Sequence, residues 1–277
     1  MGRVLCCYAV TVTEKAIKID QTKENKMLIH PTIDKLNTMR LTGMTKGLRA
    51  QMESPDIHTL AFEDRLALIV DMEFMEREKR QLARRLKSAK MRQDAVLEDL
   101  DTKASRGIDR SLLASLSTCQ WIKKKHNLLI TGATGAGKTW LSCALSHTAC
   151  RLGITAIYQR LPTLMQELDL ARHDGRYKKV MKSIANAELL ILDDLGIAPM
   201  SPEQLRDLLE IIDERYQKSS TLITSQMPVA NWHEALNDPT MADAILDRVL
   251  HNAYKIELKG KESMRKIRSK IDAIETM

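Results

Sequence analysis

A glycine-rich run, GATGAGKTW, occupies residues 132 to 140 directly behind the apolar stretch NLLIT. Gly132, Gly137, Lys138 and Thr139 satisfy the pattern G-x-x-x-x-G-K-S/T, with a strand signal before it and a helix signal after it. Such a loop lets the backbone N–H groups of Gly132, Ala133, Thr134, Gly135, Ala136 and Gly137 turn inward around phosphate oxygens. The helix that opens with Lys138, Thr139 and Trp140 adds its positive end. Lys138 is the expected neutraliser of the outer phosphates, and Thr139 the expected ligand of Mg²⁺. A second stretch, LLILDDLG at 189 to 196, reads as a buried strand delivering two carboxylates at its C-terminal edge, where open parallel sheets bind ligands. Asp193 is placed to hold Mg²⁺ and Asp194 to orient an attacking water. Together the two motifs predict a nucleoside triphosphatase. The guanine-selecting pattern N-K-x-D is missing, because NKML at 25 to 28 lacks its aspartate, so ATP is the expected nucleotide.

These side chains need a parallel sheet to position them. Strand signals fall at Asn127 to Thr131, Ile154 to Tyr158, Leu189 to Asp193, Thr221 to Thr224 and Ala253 to Leu258, with helical patterns between them. Strands alternating with helices predict an α/β domain whose parallel sheet is covered on both faces. Between the third and fourth strands, Ser201, Pro202 and Gln204 form the signature of a helix start. Leu205, Leu208, Leu209 and Ile212 follow as its buried stripe.

The N-terminal third reads differently. Leu36, Met39, Met44, Leu48 and Met52 approximate helical spacing. A second helical run from about Ala61 includes Leu66, Ile69, Met72 and Met75, with Leu82 and Leu86 facing a core further on. The expected organisation is an extension over 1–30, a helical basic domain over 31–97, a linker over 98–111 and the ATPase domain over 112–277. Residues 1–26 show no helical stripe, and Met27 is the expected natural start.

The 277 residues are 44% apolar and 29% charged, the balance of a folded, helix-rich chain. The apolar run VLCCYAVTV near the start is too short to span a bilayer, so a cytoplasmic protein without a membrane partner is expected. The five cysteines have neither zinc-site spacing nor a disulfide pattern and are expected to be reduced. The net charge of +7 is concentrated in one place. Between Arg77 and Arg92 stand eight basic residues (Arg77, Lys79, Arg80, Arg84, Arg85, Lys87, Lys90, Arg92) and one acid, leaving 35 basic and 35 acidic residues elsewhere. Such a segment suits a phosphate backbone bound without sequence preference. No aromatic residue interrupts it, which favours duplex DNA over stacked single strands. The basic tail from Lys259 to Lys270 is a second candidate.

From Leu36 onward the sequence resembles the IstB-like transposition helper ATPases, relatives of the DnaC helicase loaders and the DnaA initiator within the AAA+ class. The resemblance is carried by LNTMRLTGM, FEDRLALIVDMEFMEREKRQLARRLKSAK, LLITGATGAGKTWLSCAL, LLILDDLG, TLITSQMPVANWHEAL and ADAILDRVLH. It implies a sensor role for Gln226, where relatives usually carry asparagine. It also implies that Arg248 is an arginine supplied across a subunit boundary, and that Arg265 is a second nucleotide sensor, with Lys261 departing from the usual glycine. Relatives with Asp-Glu at the strand end reach one methylene further toward the water than Asp194 does, so slow, switch-like hydrolysis is expected. The implied function is an ATP-dependent homo-oligomer on duplex target DNA that recruits or stimulates a partner transposase. A helicase loader remains the alternative, and a small-molecule kinase would leave the basic segment without a purpose.

Overall fold

The computed structural model describes residues 31–100 and 107–259. The extension over 1–30, the expected start at Met27, part of the 98–111 stretch, Arg265 and the tail beyond Lys259 lie outside the described residues. Packing divides the chain into two units that meet at Gln81 and Leu82, within a helix and upstream of the polar 98–111 stretch. Among the described residues no helix is long and apolar enough to cross a membrane.

The first unit contains helix α1 over 31–38, α2 (Thr42–Glu53), a 3-10 turn (Pro55–Thr59) and the first part of α3 (Phe62–Ala89). Its packing does not follow the apolar stripe that the sequence suggests. Met39 and Met52 are exposed, whereas Gly43, Thr45, Gly47 and Gln51 are buried. The reason is close approach of two helices. A Cβ on Gly43 would stand 2.5 Å from the Cα of Glu73 and from the carbonyl oxygen of Met72. Leu41, the residue before α2, supplies no side-chain cap. Glu73 does so from the neighbouring helix, accepting from the amides of Gly43 (2.7 Å) and Met44 (3.2 Å) and from the Arg77 and Arg80 side chains. Phe62, Leu66, Val70 and Phe74 remain exposed on α3.

Burial alone would raise the Glu73 carboxyl. Arg77 and the two amides outweigh it and hold the group below its ordinary value of 4.5. A depressed carboxyl contributes stability that is present above its unfolded value and lost as pH falls through its folded one. Glu73→Ala is therefore expected to destabilise this unit by about 2–4 kcal/mol at neutral pH. Thermal melts at descending pH check this, since the gap between wild type and variant should narrow below about pH 4.5.

The second unit is a five-stranded, wholly parallel sheet in the order β2-β3-β4-β1-β5. The strands are β1 (Asn127–Gly132), β2 (Ala156–Arg160), β3 (Leu189–Leu195), β4 (Ser220–Ser225) and β5 (Ala253–Leu258). Alternate side chains serve opposite faces. Leu128, Ile130, Ile191 and Leu222 enter one core, and Leu129, Leu190, Leu192 and Ile223 the other. Helices α4 (Arg110–Ser117), α5 (Gln120–Lys123) and α6 (Lys138–Arg151) cover the first face. The second is covered by α7 (Leu161–His173), α8 (Tyr177–Asn186), α9 (Pro202–Arg215), α10 (Trp232–Leu236) and α11 (Pro239–Leu250). The start of α9 carries the capping box expected at Ser201 and Gln204. Its buried stripe includes Ile211, with Leu209 only partly buried. Leu82 and Leu86, with Met91 and Ala95, pack into the first core of this unit.

Candidate nucleotide site

The sheet order places β4 between β1 and β3, so the ends of all three strands meet at one edge. The loop after β1 begins at Gly132, where a Cβ would stand 2.5 Å from the carbonyl oxygen of Leu258. It ends at Gly137, which has φ 101° and immediately precedes α6. Only glycine fits the first position sterically and takes the second without strain. The Lys138 ammonium folds back to donate to the carbonyls of Gly132 (2.7 Å) and Ala133 (3.0 Å). Burial pulls its pKa down, while the charges of Asp193 and Asp194 oppose that pull. Trp140 is partly buried against the first core.

Asp193 is fully buried and is held by hydroxyl donors from three elements. Thr139 of α6 lies 2.9 Å from Oδ2, Tyr158 of β2 lies 2.5 Å from the same oxygen, and Thr224 of β4 donates to Oδ1. The strand is irregular here. Its register with β4 shifts between Leu192 and Leu195, and Asp194 sits in the left-handed region at φ 70°. Such a bulge breaks strict alternation and re-aims a side chain, and aspartate is among the residues that tolerate this conformation. Asp194 consequently accepts from Arg160 Nε at 2.7 Å, while its own amide donates to Thr224 Oγ1 at 3.1 Å. The same hydrogen bond raises the Arg160 guanidinium. Gln226 stands at the end of β4 and accepts from Thr134 Oγ1 at 2.7 Å.

Two hard oxygen donors, the Thr139 hydroxyl and the Asp193 carboxylate, face each other beside a cradle of backbone amides. That donor set fits Mg²⁺ carried with a phosphate chain, and it offers nothing that selects a softer metal.

Thus the structure brings together the loop residues from Gly132 to Thr139 with Asp193, Asp194 and Gln226. Arg248 stands apart. Its backbone carbonyl accepts from Asn127 at the opposite end of β1, and its side chain pairs with Asp213 at 2.6 Å. The basic window is divided in its use. Arg77 and Arg80 bond Glu73, and Arg85 donates to the Cys150 carbonyl at 2.9 Å. Lys79, Arg84, Lys87 and Lys90 are exposed and make no ion pair or hydrogen bond among the described residues. Tyr158, Arg160 and Thr224 are site residues that the sequence reading missed. An arginine two residues past a strand taken to end at Tyr158 was the available signal, because the strand in fact runs to Arg160, which pairs with Asp193.

The profile of the IstB-like ATP binding protein family matches residues 34–273. The chain belongs to that family. An insertion-sequence ATP-binding protein of Sinorhizobium fredii is 48% identical over 240 residues, covering 87% of this chain and 98% of that protein. The IS21 ATP-binding protein of Pseudomonas aeruginosa is 29% identical over 230 residues, covering 83% and 86%. A crystal structure of DnaI aligns with a TM-score of 0.52 at 23% identity, over 60% of this chain and 91% of that one. AMPPCP-bound DnaA from Aquifex aeolicus gives 0.51 at 18%, over 66% and 56%. These two likenesses are of fold.

Proposed function

We propose that this IstB-like protein is an ATPase that assembles as a homo-oligomer on duplex target DNA and there recruits or stimulates a partner transposase. The observation that carries this reading is the Thr139 hydroxyl bonded to the buried Asp193 carboxylate beside the glycine loop, in a chain of an ATP-binding family whose relatives belong to insertion sequences. The backbone amides of residues 132–137 and the Lys138 ammonium bind the phosphates. Thr139 and Asp193 hold Mg²⁺, which when bound supplies charge neutralisation at the transferring phosphate. Asp194 orients the water. Arg160 restrains that carboxylate, and with its shorter reach this suits slow hydrolysis that times an assembly. Arg248, remote from its own loop, serves the nucleotide of a neighbouring subunit, and Gln226 senses the phosphate end through Thr134. Arg265 is the second sensor carried by the family resemblance.

Duplex binding is assigned to the exposed members of the basic window. Each of Lys79, Arg84, Lys87 and Lys90 changed to glutamine is expected to reduce the slope of log affinity against log salt by about 0.9 for every phosphate left without its cation. Arg77→Gln and Arg85→Gln are expected to leave that slope unchanged and to lower the melting temperature, because those side chains are spent on Glu73 and on the end of α6. Fluorescence anisotropy across a salt series checks both halves. Equal slopes for all six variants would sink the assignment. A helicase pull-down separates this reading from that of a helicase loader.

A further inference from the structure

Thr224 is fully buried in β4, the strand between β1 and β3, and its hydroxyl touches both aspartates of the site. It donates to Asp193 Oδ1 and accepts from the Asp194 amide at 3.1 Å. A hydroxyl has one proton and two lone pairs, so the two bonds do not compete. The second bond stands where the ladder is broken. β3 is a central strand, and an amide in an unbroken central strand bonds a carbonyl of its neighbour. At the register shift between Leu192 and Leu195 the Asp194 amide meets this side chain instead, with the residue at φ 70°. The first bond matters for a different reason. Oδ2 of Asp193 receives Thr139 at 2.9 Å and Tyr158 at 2.5 Å, whereas on Oδ1 Thr139 stands off at 3.3 Å and Thr224 is the close donor.

We infer that Thr224 is a positioning residue for both carboxylates: it fixes the orientation of Asp193 toward the cation shared with Thr139, and it holds the turned backbone that directs Asp194. The inference deepens the nucleotide reading given above and rests on it. A carboxylate turns about its last torsion in a broad well, and close donors on both oxygens narrow that well. An aspartate tolerates the left-handed region without preferring it. Once its amide loses the hydroxyl, the unpaired N–H favours a return to the regular ladder, and that swings the Asp194 side chain away from its present direction. Valine keeps the shape of threonine and supplies neither bond, whereas serine supplies both. A merely structural Thr224 would stabilise the sheet and bear on neither the cation nor the water.

The test titrates Mg²⁺ against binding of a fluorescent ATP analogue to the full chain, and measures turnover at saturating Mg²⁺ and ATP. Thr224→Val should raise the Mg²⁺ midpoint about 10-fold or more and lower turnover by a similar factor, the range for groups that orient a metal ligand. Thr224→Ser should stay within about twofold of wild type in both. Added to Asp194→Asn, Thr224→Val should cost less than about twofold further in turnover, because that effect runs through Asp194, while the Mg²⁺ shift persists in full. Should the valine variant not fold, Thr224→Cys, a weaker donor, should raise the midpoint about threefold or more. A lowered melting temperature with a wild-type midpoint in Thr224→Val, or a wild-type midpoint in Thr224→Cys where valine does not fold, overturns the inference. An equal loss in Thr224→Ser, or an undiminished turnover loss in the double variant, also overturns it. A wild type that binds no nucleotide, or binds it without regard to Mg²⁺, overturns the nucleotide reading, and the inference with it.

Discussion

Asp194→Asn is expected to lower steady-state ATP turnover by roughly 10²–10⁴-fold while leaving nucleotide binding close to wild type. The carboxylate lies beyond the phosphate cradle, bonded to Arg160, so its removal takes away water orientation and leaves the loop, Lys138 and the Thr139–Asp193 pair in place. Asparagine keeps the size and one acceptor oxygen, and the Asp194 amide still reaches Thr224. Turnover and equilibrium nucleotide binding, measured on the same preparation, separate the two effects. A variant that hydrolyses ATP at the wild-type rate would remove Asp194 from the mechanism.

Arg248→Ala is expected to cost about 10³-fold or more in turnover, the range of an arginine that stabilises phosphoryl transfer from a neighbouring subunit. Within one subunit the side chain is held by Asp213 at the sheet edge opposite the loop, so it does not serve its own nucleotide in this arrangement. The consequence is a complementation experiment. Mixing inactive Arg248→Ala with inactive Asp194→Asn creates boundaries at which an intact Asp194 meets an intact Arg248. Activity should reappear in the mixture as hybrid assemblies form. A mixture as inactive as its parts, under conditions where subunits exchange, would show that Arg248 acts within its own chain or not at all.

The parts legible from sequence were those whose physics is local. The glycine loop, the Ser201 capping box and the bounds of β5 each depend on a few adjacent residues, and the structure has them where the pattern puts them, whereas β3 does not end at the two aspartates but runs on to Leu195. What stayed hidden depends on partners distant in sequence. The second strand reads as the apolar run Ile154 to Tyr158, yet it occupies Ala156–Arg160, because pairing with β3 carries the polar end of the strand alongside Asp193. That offset concealed Arg160. Tyr158 looked like a strand aromatic, and only the fold sets its hydroxyl on a carboxylate. The first unit misled for a similar reason. Methionines mark the apolar periodicity, but glycines at four-residue spacing let α2 approach α3, and a glutamate thirty residues away caps the helix. Likewise the basic window is uniform as a charge count and divided as a structure, since three of its eight cations are turned to partners within the fold.

The most direct measurement of the central claim is the size of the particles formed on duplex DNA with ATP, with ADP and with ATP plus Lys138→Ala, across a salt series. The account predicts large assemblies only with ATP and wild-type protein, dissolving steeply as salt rises because phosphate binding releases counterions. A protein that remains a single subunit and ignores duplex DNA in every nucleotide state would contradict it.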